Sequence, residues 1–206
     1  MRFKRALRFD GVDDYVYATL SSAPNSFTIS VFAVSYKVSK EGHLAEFRNT
    51  QFWVRQILGT TAWSDAVGTT TIKKNQMIHA VCVRDVISGE VRLYLNGELD
   101  GIGTELGTNP TNEFYVGAIY TLNPKYAFGG LIYMVHVYDD ALTDSEIKYL
   151  YYNPFDPPRQ DNLVLWLTSG SIDPVAGKWY DLSGNGNHGT IYGAQLVELE
   201  EEVIVK

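Results

Sequence analysis

One cysteine, Cys82, is all that 206 residues contain, so no intrachain disulfide can staple the chain and a buried core must hold it. Between Val81 and Val83 that thiol reads as a small buried hydrophobe rather than a reactive group. Basic charge is scarce: 17 Lys and Arg face 24 Asp and Glu, a net charge of −7. The clustered cations that grip a phosphate backbone are missing, and no nucleic-acid partner is expected. No stretch approaches the ~20 apolar residues of a spanning helix, so no membrane insertion is expected. The basic start, residues 1–5, lacks the following apolar run of a signal peptide, and the chain is expected to carry no export signal of its own. Histidine is sparse as well. His43, His79, His136 and His188 stand apart without zinc-ligand spacing, and neither a Gly-x-Ser-x-Gly elbow nor a phosphate loop is present.

Aromatic residues are plentiful, with 14 Tyr, 9 Phe and 4 Trp. They favour strands and also make faces for sugars. Period-two alternation recurs in short runs: 27–34, 77–84, 90–97, 114–117 and 130–138. In the first, Phe27, Ile29, Val31 and Ala33 fall on one face. Asn96-Gly97 marks a tight turn, because glycine accepts a positive φ. One helix is expected: Thr143-Asp144-Ser145-Glu146 is a capping box, with Ile147, Leu150 and Tyr151 on one face behind it. Prolines at 154, 157 and 158 then exclude a central strand. These signals predict an all-β fold, an antiparallel two-sheet jelly-roll sandwich with one short helix. Residues 1–153 form its main part, 154–162 a proline-rich linker, and 163–206 the C-terminal strands.

Several blocks carry a resemblance when taken together. They are Ala6–Val16 (ALRFDGVDDYV), Phe27–Val31 (FTISV), Arg92–Glu98 (RLYLNGE), Phe128–Ile132 (FGGLI), Tyr138–Thr143 (YDDALT) and the loop Asp181–Gly193. In combination the chain resembles the laminin-G-like family, a concanavalin A-like, pentraxin-related jelly roll of adhesion and surface proteins. In that family a strand like Leu163–Leu167 and a loop like Asp181–Gly189 precede the block that here begins at Ala6. The chain therefore resembles a circularly permuted member. A sandwich short of its last strands exposes an unpaired edge, so the C-terminal segment either closes its own domain or completes a neighbour by strand exchange. At the termini, Phe3, Leu7 and Phe9 share a face opposite Arg2, Lys4 and Arg8, and Val197, Leu199, Val203 and Val205 oppose Glu198, Glu200 and Glu202. Such segments suit antiparallel pairing, each opposed pair contributing roughly 0.2–1 kcal/mol.

The resemblance implies a non-catalytic recognition or adhesion module that binds a glycan or a surface protein, outside the cell or on a particle such as a virion. A structural assembly protein of a virion or surface filament is the alternative. Some relatives are glycoside hydrolases, which need two carboxylates roughly 5–5.5 Å apart. No Glu-x-Asp-x-x-Glu array that would supply them is present, and no enzymatic activity is expected. Ca²⁺ at loop rims is implied, with Asp10, Asp13, Asp14, Asp139, Asp140, Asp181, Asn185 and Asn187 as candidate ligands, since hard cations take carboxylate and amide oxygens. For a glycan platform the candidates are Trp53, Trp63, Tyr120 and Tyr126, whereas Trp166 and Trp179 read as core.

Overall fold

A computed structural model describes residues 2–36, 42–50, 52–55, 60–63, 66–105, 107 and 109–204. Its strands run in chain order β1 (Arg2–Asp10), β2 (Tyr15–Thr19), β3 (Phe27–Ser35), β4 (Gly42–Phe47), β5 (Phe52–Arg55), β6 (Thr60–Trp63), β7 (Ala66–Val67) and β8 (Met77–Asp85). There follow β9 (Glu90–Leu95), β10 (Glu98–Thr104), β11 (Glu113–Val116), β12 (Gly129–Tyr138), helix α1 (Asp144–Tyr152), β13 (Leu163–Asp173), β14 (Lys178–Asp181), β15 (Gly189–Tyr192) and β16 (Gln195–Ile204). No helix among the described residues is long and apolar enough to cross a membrane.

The pairing is antiparallel in two layers, as the alternating pattern predicts. One layer runs β10-β9-β8-β3-β12, and β12 pairs β1 through Gly129–Ile132 and β13 through Met134–Tyr138. The other runs β14-β15-β2-β11-β4-β5-β6-β7. β13 joins them, pairing β12 at its start and β14 from Leu167 onward. Between the layers Phe27, Ile29, Val31 and Ala33 of β3 meet Val16, Phe47, Phe114 and Val116 from the opposite layer. Cys82 and Trp179 are buried in the same core.

The outer face of the first layer is also buried. Helix α1, opened by the expected capping box, presses Ile147 and Leu150 onto Val81, Val83, Tyr94 and Tyr138. Polar residues therefore enter a second interior. His79 stacks between Phe32 (4.2 Å) and Tyr151 (5.8 Å), its Nε2 lying 2.9 Å from Ser30 Oγ. His136 Nε2 is 3.0 Å from the Pro154 carbonyl, which docks the proline-rich segment against the sheet.

At the termini the structure corrects one expectation. β1 and β16 do pair, with Arg5 2.8 Å from Glu198, but a register shift lies between Phe3 and Arg5. An extra residue flips the following side chains to the opposite face. Phe3 and Ala6 thus pack with Phe32 and Tyr133 on the outer side, whereas Leu7 and Phe9 enter the central core. Val205 lies outside the described residues.

Burial holds both inner histidines neutral: His79 is pushed well below the ordinary imidazole range, and His136 to about 3. Their neutral rings contribute stability that is fully present above pH 6.5, where the unfolded chain is also neutral, and that is lost as the pH falls toward 3. Comparing thermal midpoints with a His79→Phe variant cancels the carboxylate contributions. Wild type is expected to lose ground to the variant between pH 7 and pH 4; a difference that stays constant would contradict the buried-imidazole account.

Candidate functional site

β2 alternates Tyr15-Val16-Tyr17-Ala18-Thr19, and the valine and alanine go to the core. The tyrosines are left on the outer face of the second layer. Pairing extends that face sideways: Tyr15 lies opposite Tyr192 of β15, and Tyr17 lies between Thr190 of β15 and Tyr115 of β11. The Tyr15 and Tyr192 rings stack at 4.5 Å and 12°, Tyr17 and Tyr115 are 5.1 Å apart, and Tyr15 and Tyr115 6.4 Å. Four rings thus form a continuous band across three strands, with Tyr192 44% exposed. Partial burial raises the Tyr15 and Tyr115 hydroxyls above the ordinary phenol range, so both stay protonated donors.

Polar groups edge this band. Arg48 Nη1 donates to Glu113 Oε2 at 2.8 Å, Thr19 Oγ1 donates to Tyr17 Oη at 3.1 Å, and Lys178 Nζ donates to Thr190 Oγ1 at 2.7 Å. The Arg48 guanidinium also lies 5.7 Å from the Tyr120 ring. Tyr120 and Tyr126, both anticipated as platform residues, sit in the connection from β11 to β12. Below them is a buried pair: His43 Nδ1 is 2.8 Å from Glu46 Oε2, and Glu46 Oε1 accepts the Tyr120 N–H at 2.7 Å. Tyr126 meets His43 edge-on at 5.6 Å. The side chains of Trp53 and Trp63 lie outside the described residues, although Trp53 pairs with His43 through the backbone.

At the end of the band where β2 begins, the turn after β1 brings Asp10, Asp13 and Asp14 together, with one carboxylate oxygen of each within 4.8 Å of the others. Asp14 Oδ2 accepts the Asp10 N–H at 2.8 Å, and Asp10 Oδ1 accepts the Val12 N–H at 2.7 Å. Burial chiefly, with the charges of Asp10 and Asp13, raises the Asp14 carboxyl above the usual range. Three convergent hard-oxygen donors suit a divalent cation such as Ca²⁺, whose charge would relieve that repulsion.

The remaining acidic and amide candidates lie elsewhere. Asp181 Oδ1 accepts the Trp166 and Ser183 N–H groups while Oδ2 accepts Ser183 Oγ–H and the Asn187 N–H, so that carboxylate organises its own loop. Asn185 and Asn187 donate to the carbonyls of Leu163 and Val164. Asp140 Oδ2 receives Arg159 at 3.0 Å, and Asp139 follows β12 on the α1 side. Among the sequence-derived candidates, then, the structure unites Asp10, Asp13 and Asp14, and separately Tyr120 and Tyr126. Tyr15, Tyr17, Tyr115, Tyr192, Arg48 and Glu113 were not anticipated; the outward period-two positions beside Val16, Ala18, Phe114 and Val116 were the available signal.

Residues 10–148 match the family model for the concanavalin A-like lectin/glucanases superfamily, and the chain belongs to that superfamily. No curated protein matches it. Among solved structures it is similar to a Bacteroides ovatus protein described as a candidate carbohydrate binder, with a TM-score of 0.80 at 19% identity, covering 100% of this chain and 63% of that one. It thus spans less than two thirds of that relative's length. A heptameric SAP-like pentraxin from Limulus polyphemus is similar over 96% of each chain, at a TM-score of 0.70 and 13% identity. Domain 4 of an extracellular arabinanase from Geobacillus stearothermophilus, solved with arabinotriose, covers 71% of this chain and 76% of that domain, at a TM-score of 0.57 and 19% identity. At these identities the likeness concerns the fold.

Gly193 closes the acidic turn from the β15 side. It has φ +75°, and an added Cβ would lie 2.1 Å from Asp14 Oδ1. Gly184 shares the positive φ (+91°) with nothing within 4 Å of such a Cβ. In chemical denaturation Gly193→Ala is expected to cost more than Gly184→Ala by about 1 kcal/mol. Equal losses would show that the Asp14 contact contributes nothing.

Proposed function

We propose that this chain is a non-catalytic carbohydrate-binding module whose ligand lies across the tyrosine band of β15, β2 and β11. The band itself carries the reading: four adjoining, partly exposed rings make an apolar surface for sugar C–H groups, and flanking hydroxyl, carboxylate and guanidinium groups suit sugar hydroxyls. The carbohydrate descriptions of two structural neighbours support the same reading. Binding without hydrolysis is favoured by the state of the carboxylates nearby. Glu113 is engaged by Arg48 and Glu46 is buried against His43, so neither is presented as an acid to a bound sugar.

Asp10, Asp13 and Asp14 would hold Ca²⁺ at the Tyr15 end of the band, where the ion would supply coordination positions to vicinal hydroxyls. The chain's own residues supply the platform and its polar edge.

An array of neutral and acidic saccharides followed by calorimetry tests the reading. Saturable binding is expected, and the double substitution Tyr15→Ala, Tyr192→Ala should weaken it about tenfold or more while the thermal midpoint stays near that of wild type. Full affinity without both rings, or release of reducing sugar on incubation, would overturn it. For the ion, Ca²⁺ at about 100 times its dissociation constant should stabilise wild type by about 2.7 kcal/mol, and Asp13→Asn should remove most of that gain. An unchanged midpoint with Ca²⁺ would discard the metal while leaving the platform.

A further inference from the structure

Glu46 is an expensive residue to bury. Its carboxylate is fully excluded from solvent, and desolvation outweighs its hydrogen bonds, raising its pKa above the usual carboxylate range. A buried carboxylate is costly to leave without its partners, which ties its surroundings to the arrangement that satisfies it. Oε2 meets His43 Nδ1 at 2.8 Å on its own strand, and Oε1 receives the main-chain N–H of Tyr120 at 2.7 Å, from a loop 74 positions away. A register shift between His43 and Ala45 places both polar side chains on the same face, opposite the core residues Leu44, Ala45 and Phe47. Tyr115, a member of the tyrosine band, is the direct cross-strand partner of Glu46.

We infer that Glu46 is a positioning residue that sets the Tyr120–Tyr126 loop as a second ligand subsite beside the tyrosine band, so that the site takes a short linear oligosaccharide rather than a single sugar. This rests on the function proposed above. The subsite is physically continuous with the band. Arg48 spans the gap, paired with Glu113 at 2.8 Å on one side and lying 5.7 Å from the Tyr120 ring on the other. His43 braces the far end of the loop through Tyr126. From β15 through β2 and β11 to β4 are three inter-strand steps, about 14 Å, a length suited to several linked sugars. Glu46 touches none of them; it acts through the loop.

The experiment titrates linear arabino-, xylo- and gluco-oligosaccharides of one to six units into wild type, Glu46→Ala, Glu46→Gln and Tyr120→Ala, with hydrogen exchange followed at the Tyr120 amide. Wild type should bind longer chains about tenfold more tightly than short ones. Glu46→Ala should lose that gain and expose the Tyr120 amide to faster exchange, while keeping wild-type affinity for the short ligands seated on the band. Glu46→Gln, whose carbonyl still accepts the Tyr120 N–H, should restore most of it. Tyr120→Ala changes a partly exposed ring, so it reproduces the loss even where Glu46→Ala fails to fold. Affinity that does not rise with chain length, or a gain that survives both Glu46→Ala and Tyr120→Ala, overturns the inference and leaves the carbohydrate reading intact. No binding of any saccharide by wild type sinks both.

Discussion

The double-sided burial of the first layer governs what the rest of the molecule can do. Sandwich sheets ordinarily keep one face in water, yet every residue of β3 and β12 is buried. Helix α1 and the proline-rich segment cover the outer face, and they are fixed there by apolar packing from Ile147 and Leu150 and by the Pro154 carbonyl at His136. Once that face is closed, the proposed ligand surface falls on the tyrosine-lined outer face of the second layer. The polar content of the closed face follows directly. Ser30, His79 and His136 have strand positions that point away from the central core and would be solvated in an uncovered sheet.

The alternation of the strands was legible because period two survives wherever pairing is regular. The helix was legible down to its capping box, a local hydrogen-bond device encoded within four residues. Where the period broke, the face assignment at the amino end failed: the shift between Phe3 and Arg5 sends Phe3 to the outer cluster. Another shift, between His43 and Ala45, sets adjacent Leu44 and Ala45 both in the core, in a segment given no strand from its pattern. A bulge depends on the partner strand as much as on its own residues: for Phe3 and Arg5 that partner is β16 at the far end of the chain, for His43 and Ala45 the next strand, β5. His188 shows the contrary case: its Nδ1 accepts the Asp181 N–H inside one short loop.

The candidate site divides in the same way. Asp10, Asp13 and Asp14 lie within one turn, so their convergence could be suspected from spacing alone. The tyrosine band is assembled from residues 15–17, 115 and 192, and only the order β15-β2-β11 brings them side by side. Attention to loop tryptophans and tyrosines misses it because a strand tyrosine reads as packing until its face is known. Asp181, Asn185 and Asn187 lie in a different loop, where the Asp181 carboxylate accepts from Trp166 and Asn187 and the two amide Nδ2 groups donate to Leu163 and Val164.

Two buried histidine arrangements then serve opposite ends of the molecule with different electrostatics. His79 and His136 are neutral rings whose Nδ1 atoms find no hydrogen-bond partner among the described residues, so a proton arriving there would bring an uncompensated charge beneath α1. His43 instead faces a carboxylate that already accepts from it and from Tyr120. Glu46, with its pKa raised, takes up a proton more readily folded than unfolded, so acid does not oppose folding at that position. Acidification therefore penalises the buried imidazoles beneath α1 but not the Glu46 carboxyl beneath the Tyr120–Tyr126 loop.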